Sequence, residues 1–379
     1  MKQVYIIKRG NEIIYKDSMY NKNYMWMQNT SNGTGQFTLT KTGTPNATEL
    51  YYSFDKLWWT PFNLSYSANS VNVPAGSKIW FKGNNANGFN AGDGNRYTMI
   101  MDVPHTVGGK LASLINATDL SDSTETKSGC WTQLFLNDST LTSASSLDVS
   151  DYMVVNSEGF RGIFQHCTSL TSIPDFSGIE TVNDNGFRYA FSDTALTSID
   201  LSNVFYVTTN SFANAFSYNS NFNYVKCPTI SDWNTNYFYN WLGDVAATGT
   251  LVKQSGLSVP TGTSGIPSGW TTSNLPELPS LTVNVYQRDY REGYNRWNLR
   301  ISTSGVSGVR YYIKYSSSTY PSSVTRRDYN LAGTGIGNTS IWTTGWIGGY
   351  GYNQIYLRIL ATQPNYSDKS TIKMFDTNS

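Results

Sequence analysis

Hydrophobic positions along this chain occur mostly in short runs, and turns rich in Gly, Asn, Asp and Pro separate them. Many runs alternate with polar residues or are rich in Val, Ile, Tyr, Phe and Trp, which is typical of β-strands. Long stretches of Glu, Lys, Ala and Leu are missing, which argues against a helical bundle or a coiled coil. We therefore predict a mainly β, multidomain protein.

The first predicted element is a β-hairpin over residues 2–17, in which two hydrophobic runs flank a turn at residues 9–11. A lone hairpin is only marginally stable in water, so it needs another surface to pack on. We interpret residues 1–35 as a docking segment. The side chains predicted to make the contact are Val4, Ile6, Ile13 and Tyr15.

Residues 36–104 predict a small all-β domain. Its longest turn, residues 83–95, is rich in Gly and Asn and contains Asp93, whose carboxylate could bind calcium. The turn lacks the alternating oxygen ligands and the terminal Glu of a recognised calcium loop, so we interpret it as a plain long turn and predict no metal site. The candidate strands are residues 36–40, 49–54, 58–63, 70–73, 78–82 and 97–103.

Residues 105–252 contain four copies of a repeated segment, the strongest pattern in the sequence. The aromatic anchors Phe135, Phe164, Phe191 and Phe216 follow one another at steps of 29, 27 and 25 residues. A second hydrophobic anchor keeps the same register, and a degenerate fifth unit follows around residues 238–242. A period in the twenties predicts a solenoid of stacked units.

Each predicted unit has one short strand, with residues such as Leu170 and Ile173 pointing inward, and a helix or turn bearing Phe164 behind it. One unit alone cannot bury these side chains, whereas stacked units share a continuous core. The predicted repeat core consists of Phe135, Leu141, Phe164, Leu170, Ile173, Phe191, Leu196, Ile199, Phe216 and Phe222.

Two further regions complete the chain. Residues 253–280 are mostly Gly, Ser, Thr and Pro, which predicts a capping segment that runs into a linker. Residues 281–379 contain hydrophobic runs at the spacing of an immunoglobulin- or fibronectin-like β-sandwich. One aromatic, Gly-rich loop there is either a contact surface for a glycan or protein partner or simple packing. Its aromatic residues are Trp342, Trp346, Tyr350 and Tyr352.

The net charge and the N-terminal residues limit the classes of function that we expect. The formal net charge is +1, only 14% of residues are charged, and Lys and Arg do not cluster along the sequence. We therefore predict no nucleic-acid binding. No stretch approaches the roughly 20 apolar residues of a membrane span, and the N-terminus lacks the apolar run of a secretory signal. We expect synthesis in a host cytoplasm, with neither membrane insertion nor export by the usual route.

Residue types that carry catalysis are few. His105 is predicted at a domain border, and His166 is predicted on the surface, pointing to a different face from its neighbour Cys167. We interpret Cys130, Cys167 and Cys227 as buried thiols and the scattered acids as solvated turn residues. We predict no catalytic residue, no cofactor and no enzyme activity.

The repeat sequence resembles a known family. Residues 164–202 read FQHCTSLTSIPDFSGIETVNDNGFRYAFSDTALTSIDLS, which resembles the BspA-like leucine-rich repeats with their Cys-Thr-Ser-Leu-Thr-Ser-Ile core. The flanks LYYSFDKLWWTPF, KIWFKGNNANGF and WLGDVAATGTLVKQSG, with GTSGIPSGWT, are similar to proteins of Bacteroidales and of their tailed phages, including the crAss-like group. The resemblance covers roughly residues 50–271.

This resemblance implies a leucine-rich-repeat solenoid and, with the missing export signal, a virion protein. The expected function is a capsid-attached head fibre or decoration protein that displays interaction domains. A tail fibre or receptor-binding adhesin, a bacterial surface adhesin and, more weakly, a glycan-degrading enzyme are the alternatives. The expected partners are a capsid or other virion protein at the N-terminus, further copies of the chain as a dimer or trimer, and a glycan or protein of the host surface.

Overall fold

The computed structural model describes residues 22–120 and 122–277 with their side chains, and elsewhere the backbone of the strands. The fold is mainly β, and the described residues form no α-helix. The chain divides into two compact units, which are described separately. The first comprises Met1–Leu251 with Ser258–Thr271, and the second comprises Val252–Leu257 with Thr272–Ser379.

Both strands of the hairpin predicted over residues 2–17 are present. Strands β1 (Tyr5–Arg9) and β2 (Glu12–Lys16) pair antiparallel, with Ile6 opposite Tyr15. Of the residues assigned to docking, Val4 lies outside the described residues, and Ile6, Ile13 and Tyr15 are described by their backbone.

Two sheets follow the hairpin. Their strands are β3 (Met25–Asn29), β4 (Gly35–Thr42), β5 (Tyr51–Ser53), β6 (Thr60–Pro61), β7 (Ala68–Val73), β8 (Lys78–Lys82), β9 (Arg96–Met101), β10 (His105–Lys110) and β11 (Leu141–Asp148). One sheet has six strands in the order β11-β10-β3-β8-β5-β6, and the other has three in the order β7-β4-β9. Strand β3 lies within residues 1–35, where the sequence predicted only a hairpin and a docking segment. It belongs to the sheet because Met25 and Met27 alternate with half-buried positions and fill the core.

The inner faces of these two sheets form the first core. Phe37 of the small sheet contacts Phe81 of the large one, with ring centroids 4.8 Å apart. The boundary expected after Pro104 lies within one continuous sheet, since β10 pairs antiparallel with β3 and parallel with β11. A proline before a strand resembles a domain border in sequence, because proline cannot donate a ladder hydrogen bond. A short 3-10 helix, Leu111–Leu114, follows β10.

The repeated segments stack on one another through short parallel strands. One sheet consists of β12 (Val154–Val155), β13 (Thr181–Val182) and β15 (Tyr206–Val207). Another has the order β14-β16-β17-β18, formed by Ser198–Asp200, Tyr224–Lys226, Gly249–Lys253 and Trp270–Asn274. Strand β13 pairs in parallel with β12 and β15, and β14 pairs in parallel with β16, so the strands of successive units form an array.

The third side of each unit, where a helix or a turn was expected, is a run of turns. Alternate backbone amides in this run donate to the next unit: Phe135 N to Ile163 O over 2.9 Å, and Phe164 N to Ala190 O over 3.0 Å. The amides between them donate to the carbonyl three residues back, as Cys167 N does to Phe164 O over 3.1 Å. The run therefore satisfies its backbone groups between units, which an α-helix would do internally.

Two columns of aromatic rings run through the array. The first joins Phe135 to Phe164 at 5.4 Å and continues through Phe191 and Phe216. The second column is formed by Phe160, Phe187, Phe212 and Phe238, with neighbouring centroids 5.7 Å apart. All of these rings are fully buried. They are the continuous core that a single unit could not provide.

Both ends of the array are covered by other parts of the first unit. At its start, Phe89 stacks on Trp131, and Met99 N donates to Leu134 O over 2.8 Å. At its end, three indoles donate to loop carbonyls. These bonds are Trp233 Nε1 to Ser264 O, Trp241 Nε1 to Gly265 O and Trp270 Nε1 to Ala246 O.

The second unit contains two antiparallel sheets, of order β19-β20-β23 and β22-β21-β24-β25. In chain order from β19 to β25, these strands are Leu281–Arg291, Tyr294–Thr303, Ser307–Ser316, Gly335–Ile336, Thr339–Trp342, Gln354–Thr362 and Lys369–Asp376. Trp342 is the last residue of β23, and its side chain is not described. The other predicted contact residues, Trp346, Tyr350 and Tyr352, lie outside the described residues.

Candidate interaction surfaces

The predicted repeat anchors lie inside the array with one exception. Buried there are Phe135, Leu141, Phe164, Leu170, Phe191, Leu196, Ile199, Phe216 and Phe222. Ile173 is only half-buried and lines an open cavity, so the expectation that it points inward is wrong. In its unit the strand is reduced to a single bridge between Ser143 and Ser172, and Pro174 follows at once.

Polar side chains occupy an outer edge of the turn runs. Asn137, His166, Asp193 and Tyr218 take equivalent positions, and all four have a positive φ between 54° and 65°. His166 is 44% exposed, as the sequence predicted for a surface residue, and its Nδ1 lies 2.9 Å from Asp193 Oδ2. Tyr218 is 59% exposed. The edge therefore presents hydrogen-bonding groups and an aromatic ring to the surroundings.

The Asn-rich turn at residues 83–95 is bound to the array. Arg161 donates from Nη2 to Asp93 Oδ2 over 2.6 Å and from Nη1 to Glu158 Oε1 over 3.0 Å. The buried Asn90 side chain donates to two backbone carbonyls and accepts from Tyr97 N, so it holds the turn in place. Among the described residues, no group of three or more His, Cys, Asp or Glu side chains could hold a metal ion.

A buried histidine–aspartate pair joins the N-terminal sheet to the array. His105 Nε2 lies 3.0 Å from Asp138 Oδ2, both side chains are fully buried, and neither atom has another partner among the described residues. His105 Nδ1 lies 2.9 Å from Val103 O, and a carbonyl can only accept, so Nδ1 carries a proton. Asp138 occupies the repeat position of Cys167 and Asn219, whose side chains donate to carbonyls of the preceding unit. The first repeat has no preceding unit, so Asp138 contacts His105 of strand β10 instead.

The outer face of the six-stranded sheet carries lysines laid over aromatic rings. We call it the lysine–tryptophan face, formed by Trp26, Tyr51, Lys56, Trp59, Lys78, Trp80 and Lys82, all of them half-buried. Trp26 lies directly opposite Trp80 across β3 and β8, and Lys82 lies opposite Tyr51 across β8 and β5. Alternation along β8 sends Ile79 and Phe81 into the core and the other three residues outward.

The rings hold the ammonium groups in place. Lys78 Nζ lies 3.6 Å from the Trp26 ring centroid, Lys82 Nζ lies 4.3 Å from that of Trp59, and Lys56 Nζ lies 5.2 Å from that of Trp80. Such contacts are favourable because the aromatic face carries a negative quadrupole. Trp26 itself rests on Gly108, where a Cβ atom would come within 2.2 Å of the ring.

Burial and mutual repulsion lower the pKa of these lysines. Partial desolvation is the main cause for Lys56, Lys78 and Lys82. The charge of Lys78 further lowers the pKa of Lys56, and that of Lys22 lowers the pKa of Lys82, while Glu49 opposes the second shift. The face therefore gathers positive charge in a chain whose net charge is +1.

Two open cavities accompany these surfaces. A cavity of about 280 Å³ on the lysine–tryptophan face is lined by Tyr51, Trp59 and Lys82, together with Glu49 and Asn84. A second, of about 400 Å³, lies on the array, where Ile173 and Tyr224 border the ion pair between Lys226 and Asp200. Both combine ring or apolar walls with charged groups, as carbohydrate and peptide sites do.

Comparison with models of known protein families, with curated proteins and with solved structures found no match to this chain. No helix among the described residues is long and apolar enough to cross a membrane.

Sequence reasoning missed three features that the structure brings together. The second aromatic column was detectable, because Phe160, Phe187 and Phe212 each precede the predicted anchor by four residues. The His105–Asp138 pair and the lysine–tryptophan face had no comparable signal. Their members are far apart in the sequence, and only the sheet order makes them neighbours.

Proposed function

We propose that this chain is a phage virion structural protein, namely a capsid-attached head fibre or decoration protein. The observation that carries the proposal is the array itself, in which four repeats with BspA-like sequence stack through shared backbone hydrogen bonds and two aromatic columns. Stacking with a period in the twenties supports a leucine-rich-repeat solenoid. Its covered ends and buried aromatic interior suit a rigid support for displayed surfaces.

The remaining parts fit the same role. The two antiparallel sheets of the second unit support an immunoglobulin- or fibronectin-like sandwich, a frequent display domain. The hairpin formed by β1 and β2 is too small to be stable alone, which favours its use as the docking element. The assignment to a virion rests on the resemblance, read from the sequence alone, of the flanks to proteins of Bacteroidales tailed phages.

The decisive experiment is immunogold electron microscopy of purified phage particles with an antibody against this chain. Label on the capsid supports a head fibre or decoration protein. Label at the tail tip favours a receptor-binding adhesin, which is the second candidate. The exposed rings of Tyr218 and Tyr239 support that candidate. Label on the bacterial surface and none on particles contradicts the virion proposal.

The docking role has its own test. Deletion of residues 1–20 should abolish incorporation into particles while the array stays folded, as judged by circular dichroism of the purified protein. Unchanged incorporation would contradict docking through the hairpin.

A further inference from the structure

We propose that the lysine–tryptophan face binds a linear acidic polysaccharide. The proposal goes beyond the virion function and does not depend on it. It states what a purified chain recognises, wherever the protein is finally located.

The first argument is the pre-positioning of the charges. The Trp26 ring is fixed between Gly108 below and the Lys78 ammonium above, and Lys82 Nζ is held over Trp59 and at 5.9 Å from the Tyr51 ring centroid. Lysine side chains normally lose rotamer freedom when they bind an anion. Here the rings already restrict them, so less of that freedom remains to be lost on binding.

The second argument is the spacing of the charges. Lys78 and Lys82 are four residues apart on one strand, which places them about 13 Å apart at the usual strand rise. Each lies near another lysine, Lys78 near Lys56 and Lys82 near Lys22. An anion beside each pair would offset its internal repulsion. Two such positions, separated by more than one sugar ring, fit a chain with repeated carboxylates.

The third argument selects a carbohydrate among polyanions. The cavity beside Lys82 is lined by the Trp59 and Tyr51 rings, which give it apolar walls, and by Glu49 and Asn84, which bring polar groups for sugar hydroxyls. Trp58, in the same loop as Trp59, is 58% exposed and adds a further ring. The cations of this face are lysines, which lack the planar fork by which arginine binds phosphates and bases in bidentate fashion.

The test titrates the full chain with polygalacturonate, with neutral dextran of similar length and with single-stranded DNA of similar charge, by isothermal calorimetry at two salt concentrations. We expect polygalacturonate to bind, dextran to bind at least tenfold more weakly, and the affinity for polygalacturonate to fall as salt rises. The double variant Lys78→Gln with Lys82→Gln should lose at least tenfold in affinity.

Matched variants make the result specific. Lys41→Gln with Lys127→Gln removes the same charge from other parts of the first unit, and should bind as the parent does. Lys78→Arg with Lys82→Arg keeps the charge and should retain binding, and an unchanged circular dichroism spectrum of the Gln variant excludes misfolding as the cause of its loss. Tighter binding of DNA, no binding of polygalacturonate, or equal loss in both Gln variants would each overturn the proposal. None of these outcomes bears on whether the chain is labelled on phage particles.

Discussion

Residues with left-handed backbone are a regular part of the turn runs. They recur at every fourth position, as at Asn185, Tyr189 and Asp193, and the pattern includes bulky side chains. A non-glycine residue pays about 1 kcal/mol for this conformation. The cost is tolerated because the alternate amides then reach the next unit. The left-handed residues therefore let these segments hydrogen-bond to the next unit instead of forming a helix.

Glycines at such positions should differ in tolerance according to what a side chain would meet. Gly129 and Gly162 have φ of 66° and 56°, yet a Cβ on Gly129 would lie 2.3 Å from Gly92 N, and one on Gly162 would meet flexible glutamine side chains at 3.0 Å. Gly162→Ala should cost about 1 kcal/mol. Gly129→Ala should lower the free energy of unfolding by about 1–3 kcal/mol more than Gly162→Ala does, because the backbone at Gly92 must shift. Urea unfolding measures both, and equal losses would contradict the clash.

The buried thiols should be inert in the folded protein. Burial raises the pKa of Cys130 from its ordinary 9.0 to about 12, and it raises the pKa of Cys167 well above its usual range. Both groups therefore stay protonated at pH 8, where the thiol form is a poor nucleophile. A disulfide reagent should label the three cysteines only in denaturant, whereas an added thiol in the exposed variant Ser128→Cys should react at once. Fast labelling of the unmodified native chain would show that the interior opens.

At the scale of elements, stability resides in contacts between units. Phe187 lies 5.7 Å from both Phe160 and Phe212, so one ring joins three successive units. Phe187→Ala should destabilise the protein by about 3–5 kcal/mol through the cavity it leaves. Phe54→Ala, at a ring 41% exposed, should change stability by less than about 1 kcal/mol. Thermal unfolding of the two variants gives the comparison, and similar losses would contradict a shared aromatic core.

At the scale of the whole first unit, the N-terminal sheets and the array form a single folded body. Strand β10 pairs with β11, Phe89 covers Trp131, and the His105–Asp138 pair lies buried at the junction. No separate domain border is left between residues 104 and 105. We therefore expect the sheets and the array to unfold together.

The buried pair offers a test of that coupling. His105→Leu should cost about 3–5 kcal/mol because it leaves the Asp138 carboxylate buried without its partner. The double variant His105→Leu with Asp138→Leu should recover part of this loss, since neither polar side chain is then buried without the other. Lys226→Gln, which breaks an exposed pair with Asp200, should cost less than about 1 kcal/mol. If urea unfolding shows that the losses of His105→Leu and of Asp138→Leu alone add up to the loss of the double variant, direct coupling is contradicted.

Much of the array was predictable because its signals are local and repeated. The step of the Phe anchors indicated stacked units, and the alternation within Lys78–Lys82 indicated a strand with one buried face. Such patterns survive in a single sequence because the same side chain must reach the same core in every unit. The partly exposed Ile173 departs from the pattern because a neighbouring proline ends its strand.

The sequence by itself determined the repeat period, the burial of nine of the ten predicted repeat anchors and the β character of the chain. Only the tertiary structure decided which distant residues meet. Lys22, Lys56 and Lys78 are far apart in the chain, and His105 and Asp138 are 33 residues apart, so neither group forms a local motif. Sheet order and register bring them together, and these depend on long-range pairings whose partners no single segment specifies.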